Sequence, residues 1–115
     1  GIHDPLLDHP VIERMANEGC APTAPTGITP PELRRLAKAG PLFERDGEWF
    51  HISALDTARA VAAQLLQTNP EGFTMSQFRE ALGVTRKHSV PLAGELDARA
   101  MTRRRGDVRI AGPKL

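Results

Sequence analysis

Two groups of basic residues could do chemistry in this chain, and the chemistry is the gripping of a polyanion. Thr85-Arg86-Lys87-His88 stands where a helix should begin, and Arg103, Arg104, Arg105 and Arg109 stand on what reads as a β-hairpin. A helix start leaves backbone N–H groups without internal acceptors and carries a partial positive charge, so two full cations there make an anion site. Arginine can fork onto a guanine edge or stack on an unpaired base, which lysine does poorly. Strand alternation turns Arg103 and Arg105 one way and Arg104 the other. Asp107 is the only acid on that hairpin, so turn and hairpin are expected to form one continuous positive surface. The plainer reading is of exposed residues after a turn and an edge strand kept from aggregating by its charge. There is no Tyr, and no ring in residues 79–115 except His88, which argues against an aromatic stacking platform for single strands.

The net charge of +1 conceals an asymmetry. Residues 1–78 hold six basic and ten acidic residues, whereas residues 79–115 hold nine basic and four acidic. A weakly acidic front joined to a basic back directs the back toward a polyanion. Catalysis finds no support. No phosphate loop or dinucleotide fingerprint is present, and His3, His9, His51 and His88 form no i,i+4 ligand pair. Glu44, Asp46 and Glu48 read as solvated hairpin charges. Cys20 is single, which leaves no internal disulfide or cysteine zinc site, and reads as a structural thiol. No metal or cofactor is expected. The start GIHDPLLDHP lacks the pattern of a secretion signal, and no apolar run nears the roughly 18 residues that cross a bilayer, so a reducing cytoplasm is the expected setting.

Five helices and two hairpins must position these cations. Pro10–Glu18 reads as a helix capped by Asp8 or His9, with Pro10 at its first turn and Gly19 at its end. Thr29-Pro-Pro-Glu32 is a capping box, and the helix it opens should bury Leu33, Leu36 and Ala37. Asp46-Gly47 between alternating apolar runs predicts a type I′ hairpin. A long helix from Ser53-Ala-Leu-Asp56 to Asn69-Pro70 places Leu55, Ala58, Val61, Ala62, Leu65 and Leu66 on one side. Thr74-Met-Ser-Gln77 is a second capping box, with Phe73 and Phe78 as a hydrophobic staple. A last helix falls within Thr85–Ala100, with Leu92 and Leu96 inward; Pro91 makes it begin near Ser89 or bend. MTRRR, Gly106-Asp107 and VRI form the second hairpin. The fold class is therefore mostly α with small β-hairpins, laid out as two tandem winged-helix units. The first spans residues 1–53 and the second 54–115, each leaning on the other or on the shared helix to bury enough apolar surface. A single α+β domain with two hairpins is the competing layout.

The stretch FTMSQFREALGVTRKHSVPLAGELDARAMTRRRGDVRI resembles the extreme C-terminal winged helix of the bacterial selenocysteine-specific elongation factor SelB. The matching elements are FREALG, TRK, a following PL, the run GELD and finally TRRRGDVR; residues 10–68 resemble the preceding winged helix more weakly. The resemblance implies an mRNA stem-loop, the selenocysteine insertion element, as partner. It also implies that the factor is tethered near a UGA codon. Arg86 and Lys87 match the family's Arg-Lys at the helix start, His88 stands where a ring is frequent, and Arg103, Arg104, Arg105 and Arg109 match the basic hairpin. The GTP-binding and tRNA-binding parts of such a factor lie outside these residues, so ribosome and selenocysteinyl-tRNA would be met through them. This part would be a non-enzymatic, cofactor-free, monomeric fragment. Two rivals remain at this point. One is a duplex-DNA regulator, disfavoured because its reading helix would carry Glu95 and Asp97 into a groove. The other is a protein-interaction scaffold.

Overall fold

The computed structural model describes residues 3–115. A 3₁₀ turn at Pro5–Asp8 precedes α1 (Pro10–Glu18), α2 (Pro30–Ala39), β1 (Leu42–Arg45), β2 (Glu48–His51), α3 (Ile52–Thr68), α4 (Met75–Leu82), α5 (Arg86–Ala98), β3 (Thr102–Arg105) and β4 (Val108–Ala111). The strands form two separate antiparallel hairpins, β1–β2 and β3–β4. This is a small mixed α/β domain of five α-helices and two hairpins, consistent with a winged helix.

Local signals account for most boundaries. Thr29 and Glu32 satisfy each other's backbone N–H groups in a complete capping box, and Thr74 with Gln77 does the same for α4. Phe73 and Phe78 pack as a staple with ring centroids 5.7 Å apart. Asp46 and Gly47 both take positive φ, +56° and +82°, as a type I′ turn requires. His9 is the cap of α1. Its Nδ1 accepts from the Val11 N–H, which leaves Nε2 to donate to the Gly27 carbonyl at 2.8 Å. Three expectations are corrected. Ala37 is exposed, because the buried stripe of α2 is only as wide as Leu33 and Leu36. The cap of α3 is the His51 ring, which accepts from the Ser53 N–H, rather than Ser53 itself. Finally, α5 starts at Arg86 and runs through Pro91 instead of beginning near Ser89.

Two apolar clusters hold the chain. The smaller gathers Leu6, Val11, Met15, Leu33, Leu36 and Leu42, with Trp49 packed against it. The larger joins Phe43 and Phe50 to Ala54, Leu55, Ala58, Ala62 and Leu66 of α3, to Phe73 and Phe78, and to Leu92, Ala93 and Leu96 of α5. The first hairpin is a wall between them. Leu42 and Phe43 are adjacent, so strand alternation sends them to opposite faces. Phe43 pairs with Phe50 across the strands and stacks on it at 5.3 Å, facing the larger cluster. Alanines at 54, 58 and 62 recur every fourth residue of α3, and that small-residue stripe lets its neighbours approach closely.

Candidate nucleic-acid interface

The helix α5 has an unusual burial pattern, and that pattern decides what it can present. His88, Ser89, Pro91, Leu92, Ala93, Glu95 and Leu96 are all buried. Only Arg86, Lys87 and Ala98 of its 13 residues are exposed. One flank packs into the larger core through Leu92 and Leu96. The other flank is covered by the first hairpin and the loop before α2. Along it, the His88 Nε2 lies 3.1 Å from the Pro22 carbonyl, and its ring stands edge-on to Phe50 at 5.9 Å. Glu95 accepts from Arg45 at 2.8 Å and from Arg99 at 2.7 Å.

The exposed start of α5 is where the first basic group gathers. Gly83 closes α4 in the left-handed region (φ +70°), its N–H bonding back to the Arg79 carbonyl at 3.0 Å. The short Gly83–Thr85 turn then lays the start of α5 beside α4. Ser76, Arg79, Thr85, Arg86 and Lys87 together line an open groove. No side chain caps this helix start, unlike the starts of α2 and α4. The only ion pair of the groove residues, among the described residues, is a loose one from α4, Arg79 to the exposed Glu80 at 3.9 Å. Arg79 was not among the expected site residues. Its signal was the shortness of the turn, which brings a residue seven positions before Arg86 to the same groove.

The second hairpin splits the remaining arginines. Arg103, Arg104 and Arg105 are exposed, form no ion pair among the described residues, and line an open groove with Ile110. The register sets Arg104 opposite Arg109 and Arg103 opposite Ile110, so Arg103 and Arg105 share a face that Arg104 does not. Arg109 is turned inward. Its side chain is 13% exposed and its guanidinium lies 3.2 Å from Asp97, whose other oxygen accepts from Thr102 at 2.6 Å. Its backbone pairs with Phe73 in both directions, at 2.8 and 3.0 Å, which ties the hairpin to the residue before α4.

Five of the seven expected residues are therefore exposed in two groups, and two are not available. His88 is 9% exposed and packs inward, because it lies on the stripe of α5 that meets the first hairpin. Arg109 is neutralised by Asp97. The acids expected to repel a nucleic-acid groove are also corrected. Glu95 is buried between two arginines and Asp97 clamps the second hairpin, so neither faces an open groove. Burial pushes the Glu95 carboxyl up, but the hydrogen bonds from Arg45 and Arg99 outweigh it and hold the group below the ordinary glutamate range. Burial pushes the Cys20 thiol up, and it donates to the Ala54 carbonyl at 3.6 Å. Among the described residues, no group of three or more His, Cys, Asp or Glu is placed to hold a metal, and no helix is long and apolar enough to cross a membrane.

Comparison with known proteins adds three findings. Residues 64–111 match the family described as "Elongation factor SelB, winged helix". The mRNA-binding domain of elongation factor SelB from E. coli, solved in complex with SECIS RNA, superimposes with a TM-score of 0.64 at 23% identity, over 70% of this chain and 67% of that one. A bacterial selenocysteine-specific elongation factor, EF-Sec, superimposes with a TM-score of 0.73 at 19% identity, over 92% of this chain and 19% of that one. This chain thus corresponds to about a fifth of that factor. No curated protein matches the sequence significantly. The likeness of the C-terminal part to the SelB winged-helix region, read from residues 73–110, is found by the family match as well.

Proposed function

We propose that this chain is the mRNA-hairpin-binding part of a selenocysteine-specific elongation factor and that it binds without catalysing. In this reading residues 1–53 and 54–115 are two tandem winged-helix units sharing the larger core, and the second grips the hairpin. Arg86 contacts the loop of the RNA, while Lys87, Arg103, Arg104 and Arg105 hold phosphates. Arg79 joins the groove beside Arg86. Bound this way as a monomer in the cytoplasm, the module keeps the rest of the factor, with its GTP, tRNA and ribosome contacts, at raised concentration beside a UGA codon.

The observation that carries this reading is that α5 is exposed only at its two ends, with both of its exposed cations, Arg86 and Lys87, at the start. A helix that lies in a duplex major groove needs an open face of several turns. Here that face is covered by Phe50, Glu48 and Arg45 of the first hairpin, and what protrudes is a cationic tip. A tip fits the end of a folded RNA, where unpaired bases and converging phosphates can be met over a short span. The family match and the two structural likenesses support the same partner.

Binding should be measured to RNA hairpins found just after in-frame UGA codons, to a scrambled hairpin, and to duplex DNA, at several salt concentrations. The specific hairpin should bind tightest. Arg86→Ala should weaken it by about 1–3 kcal/mol, and the scrambled hairpin by less. Equal loss on both RNAs removes the base-reading role of Arg86, and tighter binding to duplex DNA overturns the proposal.

A further inference from the structure

The surface that covers α5 is itself a device. His88, Glu95 and Arg99 are spaced by seven and four residues, which places them on one stripe of a helix with 3.6 residues per turn. Each meets the first hairpin or the loop beside it. His88 lies against Phe50, with Glu48 at 3.9 Å and the Pro22 carbonyl at 3.1 Å. Glu95 bridges to Arg45. The Arg99 guanidinium sits 5.5 Å above the Phe43 ring. Between them, Gly94 lets the Arg45 side chain lie against the helix backbone, since a Cβ there would stand 3.0 Å from the Arg45 Cδ. Arg45 is 50 residues from Glu95 in the sequence, and among the described residues its side chain forms no other ion pair.

We infer that Arg45, on the first hairpin, is a positioning residue for RNA binding: through Glu95 it fixes the direction in which α5 presents Arg86 and Lys87. This rests on the reading of the basic groove given above. The larger core holds α5 through Leu92 and Leu96. The bridge from Arg45 meets the neighbouring stripe of α5 at Glu95 and adds a restraint on the tilt of the helix. Because α5 is about 20 Å long, a small tilt moves its start by a distance that matters for a hydrogen bond. The acidic first half of the chain thereby contributes to RNA affinity without touching the RNA.

The test uses Arg45→Met in the full chain, with Arg45→Lys, Arg86→Ala and the reversed pair Arg45→Glu/Glu95→Arg as companions. Arg45→Met keeps the apolar stem of the side chain without its charge, and Arg99 still pairs the Glu95 carboxylate, so the fold should survive, as checked by circular dichroism and a cooperative melt. Affinity for the specific hairpin should fall roughly threefold to thirtyfold, with binding to the scrambled hairpin weakened less. Arg45→Lys should recover most of the loss, and the reversed pair should bind better than a separately made Arg45→Glu single variant. If Arg86→Ala weakens binding while folded Arg45→Met binds as the parent does, the positioning role is overturned and the groove stands. If Arg86→Ala has no effect either, the RNA-binding reading itself has failed.

Discussion

Glu95 shows how one side chain can invert an inference made from its type. An acid in the middle of a helix that faces a nucleic acid would repel it. Here the carboxylate is buried, and its two oxygens are divided between Arg45 and Arg99. Those charge-assisted bonds outweigh the desolvation that would otherwise favour the neutral acid. The folded state therefore binds the Glu95 proton less tightly than the unfolded state does. The stabilisation it gives is present in full above the ordinary glutamate pKa and is lost as pH falls through the depressed folded value. Glu95→Gln should cost about 1–3 kcal/mol at pH 7, and the gap from the parent should close once the pH drops well below about 4. Urea midpoints at pH 7 and pH 3 check this. A gap of the same size at both would mean that the packing volume of Glu95, and not its charge, is what the fold uses. His88 carries a similar lesson. It belongs to a basic stretch in sequence and to the stripe of α5 that packs on Phe50 in space.

The second hairpin divides its labour by strand parity. Thr102, Arg104 and Arg109 share the face above Asp97, and of the three only Arg104 is exposed. Arg104→Ala should therefore leave stability within about 0.5 kcal/mol while weakening binding to all RNAs alike and lowering the salt slope by about one phosphate. A salt slope equal to that of the parent would remove Arg104 from the phosphate contacts. The elements themselves were legible wherever their signals are local. Thr29 with Glu32, Thr74 with Gln77, Asp46-Gly47 and the Phe73–Phe78 staple each fix a boundary within five residues of sequence, and each is found where expected. The expected basic groups were legible as charge but not as geometry. Burial of α5 on two adjoining stripes leaves it with no clean amphipathic period, since Pro22, Arg45 and Phe50 cover the second from 38 to 66 positions away along the chain. The same distance hid the fate of His88, and the inward turn of Arg109 depended on Asp97, 12 residues earlier.

At the scale of the molecule, the first hairpin serves two cores at once. Phe43 and Phe50 belong to the larger, while Leu42 and Trp49 face the smaller. Helices α1 and α2 with the 3₁₀ turn supply only five buried apolar side chains of their own, Leu6, Val11, Met15, Leu33 and Leu36, too few to hold a unit of this length alone. Removing the first half would also uncover Glu95 and His88 and leave the larger core without its two hairpin rings, a loss of the order of 3–5 kcal/mol for each Phe. The two cores should therefore unfold as one cooperative unit. Trp49 is the only tryptophan, and it packs on the smaller core, so its fluorescence reports that core. The helix signal at 222 nm is dominated instead by α3, α4 and α5, the elements around the larger core. Both probes should give the same urea midpoint and the same slope. A chain cut between residues 53 and 54, with the halves purified apart, should lose the sharp transition in both pieces, and mixing them should restore it. Two separated midpoints in the intact chain, or a piece spanning 54–115 that melts cooperatively at the parent temperature, would show that the hairpin wall is a contact between independent domains. The proposed coupling of Arg45 to the basic groove would then have no rigid frame to act through.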